Sequence, residues 1–174
     1  MKNSAASLKS HILQYGIMLG AISVVFGLML FFLDMHYTQE SAANWINYII
    51  TTSIIILGIY SFRRANEGFL SLSESLKIGL GISVIGGIIG VLYTVVLINF
   101  LDPDTIEKTL EVTQNKMIDA NPEISQAQLD QMKEMQEKFS GIGIISTMIM
   151  VFSLFFGFII SLIGGLILRR NRPE

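Results

Sequence analysis

No cysteine occurs among the 174 residues. That excludes disulfides, thiolate metal sites and cysteine nucleophiles. Only three prolines interrupt the chain, and only 15% of it is charged. Net charge is −2. So small a charge leaves no broad basic surface, and nucleic acid is not an expected partner. The Walker, dinucleotide and nucleophile-elbow patterns are missing, as is a helical HExxH pair. No enzyme activity and no cofactor is expected from these residues.

Charge is also unevenly placed. Asp, Glu, Lys and Arg are missing from Ser10 to Leu33, Ser41 to Phe62, Ile78 to Leu101 and Phe139 to Leu168. Each run exceeds the roughly 20 residues that cross about 30 Å of hydrocarbon as a helix. The composition agrees, at 51% hydrophobic with a mean hydropathy of +0.57. The expected fold is therefore an all-α integral membrane protein with four transmembrane helices. The spans fall near 12–33, 43–62, 78–101 and 142–168, within a single membrane domain covering 1–174. The lipid bilayer is the first partner. Ile12 to Leu33 is too long for a signal-peptide core of roughly 7–15 residues, so it reads as a retained helix.

What lies between the third and fourth spans is different. Residues 102–138 carry nine acids and four lysines, a net charge of −5. Asp102-Pro103 suggests an N-cap followed by proline at the first helical position. Ile106, Leu110 and Met117 then share a helical face. Asn121-Pro122 ends that helix and suggests the cap of the next. Leu129, Met132, Met135 and Phe139 form a second stripe, on a helix that could run directly into the fourth span. The expected element is an amphipathic helical hairpin. Its stripe either packs on the chain itself or is an interaction face for a membrane or periplasmic protein partner.

Positive charge orients the whole. Arg63, Arg64 and Lys77 lie between the second and third spans. Arg169, Arg170 and Arg172 follow the fourth, and Lys2 and Lys9 precede the first. These topology anchors place both termini in the cytoplasm and the hairpin outside. Tyr37, Trp45 and Tyr48 would mark the outer interface; Tyr15, Tyr60 and Phe62 would mark the inner one. Ser71-Leu72-Ser73-Glu74 fits a capping box that starts the third helix near Leu72.

Inside the spans, small residues recur every four positions: Gly16 and Gly20; Gly79, Ser83 and Gly87; Gly157, Ser161 and Gly165. They fit close helix packing within one bundle, or a homo-oligomer interface. Thr51-Thr52-Ser53 and Asn99 fit interhelical hydrogen bonds. The two histidines, His11 and His36, lie at opposite ends of the first helix and cannot share a metal. Asp34, His36 and Glu40, with Asp102 and Asp104, form a weak cation-site pattern, and no metal is expected there.

Three stretches carry a family resemblance: "NEGFLSLSESLKIGLGI", "NPEISQAQLDQMKEMQEKF" and "GFIISLIGGLILRR". Together they resemble a Bacteroidota membrane-protein family called domain of unknown function 4199. The resemblance implies a small four-helix protein of the bacterial inner membrane, and no reaction, ligand or catalytic residue. The functional expectation is a non-enzymatic structural or accessory subunit acting through its hairpin or helix faces. The alternative is a small transport component or channel-like homo-oligomer, with the glycine-rich third helix lining a path.

Overall fold

The computed structural model describes residues 7–38 and 40–171. Of the topology anchors, Lys2 and Arg172 lie outside the described residues. The described residues form six α-helices in order: α1 Leu8–Phe32, α2 Ser41–Ala65, α3 Leu72–Val96, α4 Thr105–Ala120, α5 Gln126–Phe139 and α6 Ile142–Leu168. A π-helical turn, Leu97–Leu101, extends α3. Four of these helices are long and apolar enough to cross a membrane. Helix continues into the polar flanks of the first two expected spans, α1 beginning at Leu8 and α2 ending at Ala65, while α3 begins at Leu72 as its capping box indicated.

The ends are set by local chemistry. Ser71 caps α3 as expected. Its Oγ accepts from Glu74 N at 3.2 Å, and Ser71 N donates to Glu74 Oε2 at 2.8 Å. Both α1 and α2 stop where the backbone turns left-handed, at Asp34 (φ 54°) and Glu67 (φ 57°). Met35 N then donates to Leu30 O at 2.9 Å, and Gly68 N to Arg63 O at 2.8 Å. These six-residue closures satisfy carbonyls that the helix ends would otherwise orphan.

α3 is the central helix, packed mainly on α6 and α1, with α2 touching all three. The α3–α6 seam is built from the small residues. A methyl group added at Gly157 would come 2.7 Å from Ser83 Cβ, and one at Gly165 would come 2.8 Å from Ser75 Cβ. Gly79 faces Ser161, and Gly87 faces Met150 and Ser153. Ser75 Oγ donates to Ser161 O at 2.8 Å, and Ser153 Oγ to Ser83 O at 2.7 Å. On the other side, Gly16 and Gly20 receive Ile85 and Ile89 of α3. Each small residue thus removes a side chain where two backbones meet, which is how apolar helices gain contact in lipid.

The buried core is Leu19, Ile54, Ile55, Ile59, Phe62, Leu70, Ile78 and Ile82. Most of it lies toward the end where α2 finishes and α3 begins. There Leu70 and Arg170 pair through two backbone bonds, each 2.9 Å, tying the α2–α3 connection to the end of α6. Arg63 Nε donates to Gly68 O, and the Arg170 guanidinium lies over the Phe69 ring. Arg63, Arg64, Lys77, Arg169 and Arg170 are therefore on connected segments at one end of the bundle. Phe62 is not an interfacial anchor. It is buried core, with the His11 ring edge-on at 5.5 Å. Tyr15 also packs on the core, whereas Trp45, Tyr48 and Tyr60 are exposed.

Candidate functional site

At the opposite end of the bundle, the turn after α1 meets the segment after α3. The π-helical turn closes with Asp102 N donating to Leu97 O at 2.8 Å. Its extra residue per turn rotates the chain exit relative to an unbroken α-helix. Asp102 is buried, and its carboxylate is held from two sides. His36 Nε2 lies 2.9 Å from Oδ2, and Lys108 Nζ lies 2.8 Å from Oδ1 and 2.9 Å from Oδ2. A carboxylate only accepts, so Nε2 carries the proton it donates.

Asp102 is therefore not the N-cap of α4. Asp104 takes the N-cap position and Thr105 is the first helical residue. Thr105 N and Oγ1 both donate to the Asp102 carbonyl. Lys108, one turn into α4, reaches back to the carboxylate and passes over the Tyr37 ring. The His36 ring lies between Phe31 and Tyr37, at centroid distances of 5.4 and 5.0 Å. Its Nδ1 is buried without a hydrogen-bond partner among the described residues. Hydrogen bonding from Lys108, ahead of that from His36, holds the Asp102 carboxyl down at about 2. The same carboxylate raises the Lys108 ammonium. Further along α4, Lys116 Nζ donates to the Thr38 carbonyl.

The weak cation pattern is thus only partly assembled. His36 and Asp102 meet; Asp34, Glu40 and Asp104 do not join them. Among the described residues no three His, Cys, Asp or Glu side chains are placed to share an ion. The Lys108 ammonium is the positive partner of Asp102.

The helices between α3 and α6 also depart from expectation. Ser125, not Asn121, caps α5: its Oγ accepts from Gln128 N at 3.3 Å, and Ser125 N donates to Gln128 Oε1 at 3.1 Å. The Ser-x-x-Gln spacing at 125–128 was the signal for it. α5 does not run into α6, because Ser140 and Gly141 interrupt the helix. Its apolar stripe divides. Leu129 and Met132 are half-buried, whereas Met135 and Phe139 are 61% and 55% exposed. The facing surfaces of α4 and α5 leave a groove of about 510 Å³, lined by Ile106, Glu107, Leu110 and Glu111 with Lys133 and Glu137. The stripe pattern marked Ile106 and Leu110, but the carboxylates beside them were not singled out by sequence.

Among the described residues, the polar groups expected to bond between helices at Asn99 and Thr51-Thr52-Ser53 do not do so; the interhelical bonds come from Ser75 and Ser153. Asn99 Nδ2 donates to Val95 O of its own helix at 2.7 Å. Thr52 and Ser53 are exposed on α2 and Thr51 is half-buried; among the described residues none makes a side-chain bond to another helix.

Four long apolar helices, joined through small-residue seams, define a multi-pass helical membrane protein. The chain belongs to the family described as protein of unknown function (DUF4199), whose model matches residues 14–170. No curated protein and no solved structure matches it significantly.

Proposed function

We propose that this protein is a non-enzymatic accessory subunit of the bacterial inner membrane. In this reading both termini are cytoplasmic, and α4 and α5 form a hairpin outside that contacts another membrane or periplasmic protein. The observation that carries it is the uncovered part of the α5 stripe. Met135 and Phe139 expose most of their surface on a helix otherwise rich in charge. An amphipathic helix gains its stability by burying its apolar side, and this chain supplies only part of the cover. The asymmetry of charge supports the orientation: eight Lys and Arg flank one side of the four spans and four flank the other.

The channel-like alternative draws less support. A path along α3 would need its small residues free. Gly79, Ser83 and Gly87 instead face α6, while Gly16 and Gly20 of α1 receive isoleucines of α3.

The absence of cysteine makes the test direct. Single cysteines are placed at Gln128 and Ser73 in native membranes and labelled with an impermeant thiol reagent. Labelling at 128 but not 73 is expected; the reverse reverses the orientation. A photocrosslinker attached at 128 is then expected to capture a second protein. Crosslinks confined to the chain itself would make the hairpin a lid on its own bundle.

A further inference from the structure

We propose that the groove between α4 and α5 receives a cationic amphipathic helix of a partner protein. This deepens the accessory reading above and rests on its placing of the hairpin outside, in contact with another protein. The groove is two-toned. Ile106 and Leu110 form an apolar side along α4, and Glu107 and Glu111 run beside them one helical turn apart. Glu137 and Lys133 line the α5 side, also one turn apart. Three carboxylates thus stand against one ammonium, in a segment whose net charge is −5.

The spacing selects among occupants. Positions four apart on a helix are separated by about 6 Å along the axis. Glu107 and Glu111 therefore match lysines or arginines placed four apart on an apposed helix, whose leucines would enter between Ile106 and Leu110. A divalent cation needs its carboxylates gathered together, and among the described residues they are not. A second copy of the hairpin would bring −5 against −5, and anionic lipid headgroups would be repelled likewise. Among the described residues Glu107, Glu111 and Glu137 make no ion pair within the chain. Their charge is thus available to a cationic partner.

The test uses the full protein in nanodiscs of zwitterionic lipid. Three labelled peptides are titrated by fluorescence anisotropy, with empty discs as reference: an amphipathic Leu/Lys helix with lysines four apart, a scramble of the same composition, and a Leu/Glu counterpart. The amphipathic basic peptide is expected to bind about tenfold more tightly than either control, a difference of about 1.4 kcal/mol. Glu107→Lys with Glu111→Lys is expected to remove that advantage. Asp119→Lys with Glu123→Lys makes the same charge change away from the groove and is expected to leave most of it. Equal loss in both double variants would reduce the effect to bulk charge and overturn the proposal. So would equal binding of the scramble, or equal binding to empty discs. The 128 crosslink separates the two readings. A crosslinked partner that survives the groove reversal leaves the accessory role standing and sinks the groove. No crosslinked partner in the unaltered protein removes the accessory role, while the titration still judges the groove.

Discussion

His36 and Asp102, 66 positions apart, meet at 2.9 Å and join the turn after α1 to the segment that leads out of α3. Lys108 completes the arrangement from the first turns of α4. The root of the α4–α5 segment is thus fixed to the bundle by one buried carboxylate and two donors.

Asp102→Asn keeps the shape of that side chain and removes its charge. The bond from Lys108 loses its ionic character, and the amide N–H meets an ammonium that cannot accept from it. Protection of the amides in 34–38 and 102–108 against hydrogen exchange is expected to fall on the order of tenfold, consistent with losing one charge-assisted bond. Unchanged protection would show that packing alone holds the turn.

The same carboxyl gives a pH dependence with a definite sign. Its folded value is held at about 2, below the unfolded value of about 3.9. The stabilisation is therefore complete above about pH 4 and is lost as pH falls toward 2. Proteolysis or exchange at 102–108 is expected to rise as pH falls below about 4. In Asp102→Asn this acid step is expected to disappear.

The seam between α3 and α6 predicts a graded series. Gly157→Ala places a methyl against Ser83 Cβ, and the two backbones must separate. A loss of about 1–3 kcal/mol is expected in mixed-micelle unfolding. Gly143→Ala, at a position with nothing within 4 Å, is expected to be near neutral. Ser75→Ala removes the bond to Ser161 O and is expected to cost only about 0.6 kcal/mol. A Ser75 effect larger than the Gly157 effect would show that hydrogen bonding, not close approach, holds the helices.

At the other end, Leu70 is fully buried beneath the tail that follows α6. Leu70→Ala is expected to cost about 2–5 kcal/mol through the cavity it leaves. Arg170→Pro deletes the donor to Leu70 O and should loosen the tail without unfolding the helices. Hydrogen exchange at the Leu70 amide, which donates to Arg170 O, reads this directly.

The four spans were legible because a bilayer imposes a length and a composition that no local detail overrides. Ser71 and Glu74 declared the start of α3 because a capping box is local chemistry, complete within four residues. The small-residue spacing identified which residues would make close contacts, since a four-residue period puts them on one helical face. It did not say which helix each face would meet. Asp102 misled for a related reason: its spacing to Pro103 fits a cap, but a buried histidine from another turn and a lysine one turn on competed for the same carboxylate. Phe62 misled because an aromatic next to arginines has the composition of an interfacial anchor, and only burial places it in the core.

Sequence by itself determined that this chain is a multi-pass helical membrane protein with a charged segment before its last span. Hydropathy and helix geometry act over twenty adjacent residues and leave no alternative of comparable stability. Tertiary structure alone decided that α3 is the central helix, that Leu70 pairs with Arg170, that His36 and Lys108 converge on Asp102, and that carboxylates line one groove between α4 and α5. Those are contacts between residues far apart in the chain. They depend on how helices rotate and pack against one another, which a one-dimensional pattern of residue types does not encode.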